Sequence, residues 1–175
     1  MVRALKTLTF VYVPREDRVM AAINAGHADA WSCWLTRRLA LAVLERATEY
    51  IESKSDLAQR APANLRGELI AFERDAAIAT TAAAMSFTPP AILKSSETAA
   101  ELAERLTIAQ QGDGFRLELR GQTDAGTVGV LKPAELRRIL QMLQAEVAKA
   151  GWLAVPAKSQ AAATPAAADP KPVRH

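Results

Sequence analysis

A chain of 175 residues, half of them hydrophobic, has enough apolar material for one packed domain or for two small related ones. Its net charge of +3 sits mostly in the tail, where Lys158, Lys171 and Arg174 against Asp169 leave about +1 for the rest, so the clustered basic face expected of a phosphate binder is weakly supported. No apolar run approaches the ~18 residues that span a bilayer, the apolar run near the N-terminus is too short for a signal peptide, and the single cysteine, Cys33, excludes an internal disulfide and fits the cytoplasm.

In chain order, a strand through Phe10 and Tyr12 comes first, and then a hairpin turn at Glu16 and Asp17. Val19, Ala21 and Ile23 alternate as in a strand with one buried face. The loop "NAGHADA" carries His27, and residues 31 to 35 form a third strand. Trp31, Cys33 and Leu35 share one of its faces, Ser32 and Trp34 the other. Thr36 closes that strand and caps a helix whose stripe is Val43, Leu44, Ala47 and Ile51. Arg37 and Arg38 fall in its first turn, slightly against the helix dipole. That placement hints mildly at use, for instance holding Asp29 or Glu45 or meeting an acidic partner, although a solvated or locally paired charge is the simpler reading.

Residues 64 to 85 place Leu65, Leu69, Phe72, Ala76 and Ala79 at helical spacing and predict an amphipathic helix. Thr88-Pro89-Pro90 stops whatever precedes it, and "SSETAAELAERL" (95 to 106) reads as a short helix. From Leu106 the pattern of residues 10 to 51 returns without a gap at a shift of 96: Val19, Ala21 and Ile23 fall on Phe115, Leu117 and Leu119, and Leu44 falls on Leu140. "QGDG" (111 to 114) is a hairpin signature, and Pro133 opens the second helix.

The expected fold class is therefore α+β, with two pseudo-repeated βββα units built of antiparallel sheets with packed helices. The first unit is 5 to 54, a helical connecting segment covers 55 to 104, the second unit is 105 to 153, and residues 154 to 175 form a disordered Ala/Pro tail.

Chemistry-bearing motifs are sparse. His27 and His175 are the only histidines, and no CxxC, HExxH or Gly-rich phosphate-loop spacing occurs. Cys33 sits mid-strand between tryptophans, where an inert buried thiol is expected. Glu16 and Asp17, like Glu45, Glu49 and Glu52, occupy solvated positions. The sequence points to no catalytic residue, no metal and no cofactor, and to a binding or assembly module acting on a protein partner or on itself. Trp31, Trp34, Arg37 and Arg38 are its candidate contacts, with the helix of 64 to 85 as another surface. The alternative is a single-stranded nucleic-acid binder using the first unit's sheet face, where Phe10, Tyr12, Trp31 and Trp34 lie near Arg15 and Arg18. The second unit has Leu106, Ile108, Thr127 and Val130 at those places, so half the platform is missing and nucleic acid is disfavoured.

The "WLTRRL" segment after the strand "EDRVMAAIN" resembles small proteobacterial proteins of unknown function in which such a strand runs into Trp-Leu-Thr-Arg-Arg. The resemblance covers residues 8 to 45 and, more loosely, 105 to 152, and implies no activity, ligand or partner. Repeated sheet-plus-helix units also look, in layout alone, like the Whirly and PUR-type single-strand binders. The Ala-rich strand leaves little apolar bulk in the first sheet, which self-association would supply.

Overall fold

The computed structural model describes residues 1–54, 59–81 and 100–153. Ten elements follow one another: β1 (Val2–Ala4), β2 (Leu8–Val13), β3 (Arg18–Ile23), β4 (Trp31–Leu35), α1 (Arg37–Ser53), α2 (Arg66–Thr81), β5 (Glu101–Gln111), β6 (Gly114–Gly121), β7 (Gly126–Leu131) and α3 (Pro133–Lys149). Local chemistry sets many of these boundaries. The Thr36 hydroxyl accepts from the Leu39 backbone N–H at 3.2 Å and starts α1. At α3 the Glu135 carboxylate accepts from the Lys132 backbone N–H at 2.8 Å, with Pro133 in the first turn. The turn between β5 and β6 is the two-residue Gly112-Asp113, with Gly112 at φ 56°, where glycine is unstrained.

All seven strands join one mixed sheet in the order β1-β7-β6-β5-β4-β3-β2. Two antiparallel three-stranded blocks, β2–β3–β4 and β5–β6–β7, make up most of it, with one parallel seam between them and a second where β1 joins β7. At one seam Cys33 and Trp34 of β4 pair with Glu101 and Leu102 of β5. At the other, Val2 to Ala4 of β1 pair with Gly126 to Val128 of β7. β1 and β2 stand at opposite ends of this order, yet residues 5 to 7 alone separate them. Six strand spacings in a flat sheet need about 29 Å, whereas so short a link reaches about 14 Å. The sheet must therefore curl until its ends meet.

It curls around the helices. α3 touches β2 at one end of the order and β6 and β7 near the other, and it packs along α1. The main core lies between them: Phe10, Val19, Ala21, Ile23, Cys33, Leu35, Phe115, Leu117 and Leu119 from the strands meet Ala40, Val43, Ala47, Leu136, Leu140, Leu143 and Val147 from the helices. A smaller cluster of Met20, Ala22 and Trp34 occupies the opposite face of β3 and β4.

The structure corrects several expectations. Residues 101 to 106, read as the end of a short helix, are extended in β5. Their helix-forming composition loses to the pairing with β4 and to the bonds made by Glu101 described below, a tertiary override of local propensity. The helix expected over 64 to 85 is present as α2, but its stripe is not the buried face: Phe72 is 69% and Leu65 42% exposed, while Leu69 and Ile70 are half-buried. Asp17 stands in an exposed turn, as expected, and there also accepts from the Tyr12 hydroxyl at 3.0 Å and from Trp152 Nε1 at 3.1 Å. β1 was not expected at all. The proline stop at 88 to 90, the start of the second short helix and the tail from 154 lie outside the described residues.

Candidate functional site

At each seam the paired strands separate after two or three residues, and the helix that follows leans over the gap. Beyond its pairing with β7, the chain continues as β2, whose outer edge meets α3. Here the gap is closed. Glu146 on α3 accepts from the Tyr12 backbone N–H at 2.9 Å, and the Tyr12 ring meets Trp152 edge-on at 5.7 Å. Trp152 itself is 4% exposed.

The gap between β4 and β5 is open. α1 touches β5 sparingly, and between them runs a cleft of about 830 Å³ bordered by Thr36, Arg38, Ala42, Arg46, Leu102 and Glu104. A second hollow of about 370 Å³ continues it past Leu39 and Ala42 towards Tyr50, Leu106 and Ile108. Ala42 leaves the space; a longer side chain there would fill it. The Tyr50 hydroxyl accepts from the Gln110 N–H at 3.1 Å, closing the far end.

Strand geometry says what this groove displays. Gln111 and Gly114 flank the two-residue turn, so the odd-numbered residues of β5 bond to β6 and the even-numbered ones point away. The Gln110 N–H directed at Tyr50 agrees with that alternation. Leu106 and Ile108 therefore aim their backbone groups into the groove, where no bond to another described residue meets them. Arg38 and Arg46 are both exposed on α1, and neither has an acidic partner among the described residues.

The four residues singled out from the sequence are not brought together. Trp31 faces the main core half-buried, and its Nε1 donates to Glu101 Oε1 at 2.7 Å. Trp34 lies on the other face, 8% exposed. Arg37 is exposed outside the cleft, and Asp29, its suggested partner, is held by Lys6 Nζ and Asn24 Nδ2, each at 3.0 Å. Arg38 alone lines the cleft. Phe10 is as buried as Trp34, so the four aromatics of the first block supply no shared open face for stacking bases.

Two residues that sequence reasoning passed over hold the frame. Glu101 accepts from Trp31 Nε1, from the Thr123 backbone N–H at 2.8 Å and from the Thr123 hydroxyl at 2.7 Å. Desolvation opposes its charge, but these donors outweigh it and hold the carboxyl below its ordinary value. Asn24 is fully buried with φ 49°. Its Oδ1 accepts from the backbone N–H groups of Lys6 and Thr7 at 2.9 and 3.1 Å, and its Nδ2 donates to the Ala4 carbonyl at 2.8 Å. It ties the link between β1 and β2. The Asn in "NAGHADA" was a visible signal for the left-handed backbone; Glu101 had no local signal.

Cys33 is fully buried, and burial, reinforced by the charge of Glu101, pushes its thiol up and away from thiolate reactivity. Among the described residues no three His, Cys, Asp or Glu gather as metal ligands, and no helix is long and apolar enough to cross a membrane. No protein-family model, curated protein or solved structure matches the chain.

Proposed function

We propose that the protein is a non-catalytic, cytoplasmic binding or assembly module that acts through protein–protein contacts. The observation that carries this reading is the groove between α1 and β5, whose strand edge and two arginines have no partner among the described residues.

The same reading includes an origin in two pseudo-repeated βββα units. α1 (37–53) and α3 (133–149) coincide at a shift of 96, and so do the ladders that pair Val19 with Leu35 and Phe115 with Leu131. Tyr50 and Glu146, also 96 apart, each accept from a backbone N–H on the edge their helix covers. In a duplicated body of this kind, one closed gap and one open gap make the open one available to a partner.

The test is affinity capture of the tagged full chain from its native lysate, with and without nuclease, read by mass spectrometry. A stoichiometric protein partner that survives nuclease supports the module. Recovery of nucleic acid, with proteins lost on nuclease treatment, replaces it with the single-strand binder.

A further inference from the structure

We infer that the α1/β5 groove takes an extended acidic peptide, which adds a strand to the outer edge of β5 at Leu106 and Ile108 and sets carboxylates against Arg38 and Arg46. This deepens the module reading and rests on it.

Backbone complementarity comes first. Unpaired edge groups are satisfied by another extended chain, and main-chain bonds supply the affinity in such strand addition. Charge then selects the occupant. Arg38 and Arg46 stand on one side of the groove without acidic partners among the described residues, and arginine engages a carboxylate through paired donors. Glu104 lines the cleft from the strand side, so an incoming carboxylate belongs on the helix side. The chain's own segment from Ala154 is net positive and is poorly matched to two arginines. A second copy cannot offer its own β5 edge, which lies beside its own α1.

Spacing makes the inference specific. Arg38 and Arg46 are eight residues apart on a helix, about 12 Å along its axis. In a strand, residues four apart lie about 13 Å apart on one face. The residue midway between two such acids would face Ala42, where the groove is deepest and an aromatic or large aliphatic side chain has room. The recognised pattern is acid-x-apolar-x-acid in an extended chain.

The test measures fluorescence polarisation of a labelled synthetic peptide with the core Glu-Thr-Phe-Thr-Glu against the full chain. Reversing both charges, Arg38→Glu with Arg46→Glu, should weaken binding at least tenfold. The same double variant should bind the Lys-Thr-Phe-Thr-Lys peptide better than the parent protein does, which a misfolded variant would not. N-methylation of the peptide amides facing β5 should cost a similar factor, and N-methylation of the alternate set should cost little. No binding of the acidic peptide, indifference to the charge swap, or equal sensitivity to both methylation sets overturns the inference. If the lysate partner is still captured by the double variant, the module reading survives and the groove assignment alone falls. If neither peptide nor lysate protein binds, both fall.

Discussion

Glu101 stands where the two three-stranded blocks meet, and three hydrogen bonds converge on its carboxylate from Trp31 and Thr123. A methyl group added at Gly121 would run into that carboxylate and force it to shift from its donors. Because the folded carboxyl lies below its ordinary value of 4.5, the folded state binds fewer protons than the unfolded chain near that pH. Its stabilisation is fully present above about pH 5 and is lost as the pH falls through the lowered value. Glu101→Gln should cost about 1.5 kcal/mol at neutral pH, the lower end of the scale for hydrogen bonds to a charged acceptor. It should also flatten the loss of stability between about pH 5 and 3. Urea midpoints across that range check this, and an unchanged acid slope would rule out the role. None of it was legible locally. Glu101 sits in "SSETAAELAERL", and its partners lie 70 and 22 residues away.

At the scale of elements, helices and hairpins were the readable part. Thr36, Pro133 and the Gly112-Asp113 turn are local devices, and each stands where its chemistry requires. The N-terminal half of β5 was misread because alanine and glutamate favour a helix while pairing with β4 enforces extension. The exposed β5 edge makes its own prediction. In native-state hydrogen exchange the amides of Thr107 and Ala109, bonded to β6, should be protected at least tenfold more than those of Leu106 and Ile108. The Gln110 amide, held by Tyr50, should fall between the two groups. Equal protection along the strand would mean that the edge is already occupied, and the groove would then not be free to take a partner.

For the whole molecule, the decisive feature is closure of the sheet on itself, and Asn24 holds it. Asn24→Leu would leave the part-buried backbone N–H groups of Lys6 and Thr7 and the Ala4 carbonyl without the side-chain partner that holds them, while leaving the hydrophobic core untouched. We expect a loss of about 2 kcal/mol, since water can partly replace the lost bonds at these part-buried groups. Release of β1 should also bare the edge of β7, so the variant should self-associate more than the parent as concentration rises. Denaturant unfolding and light scattering read the two effects separately. A variant as stable and as monodisperse as the parent would place the closure elsewhere. By itself the sequence determined the α+β class, the strands and helices of both blocks, and the caps and turns that bound them, because periodicity and capping act over a few residues. The tertiary structure alone decided that both blocks share one curled sheet, that β1 and the start of β5 are extended, and that one gap is closed while its counterpart is open. Those outcomes depend on pairings between residues 68 and 124 positions apart, whose energy no local stretch of the chain contains.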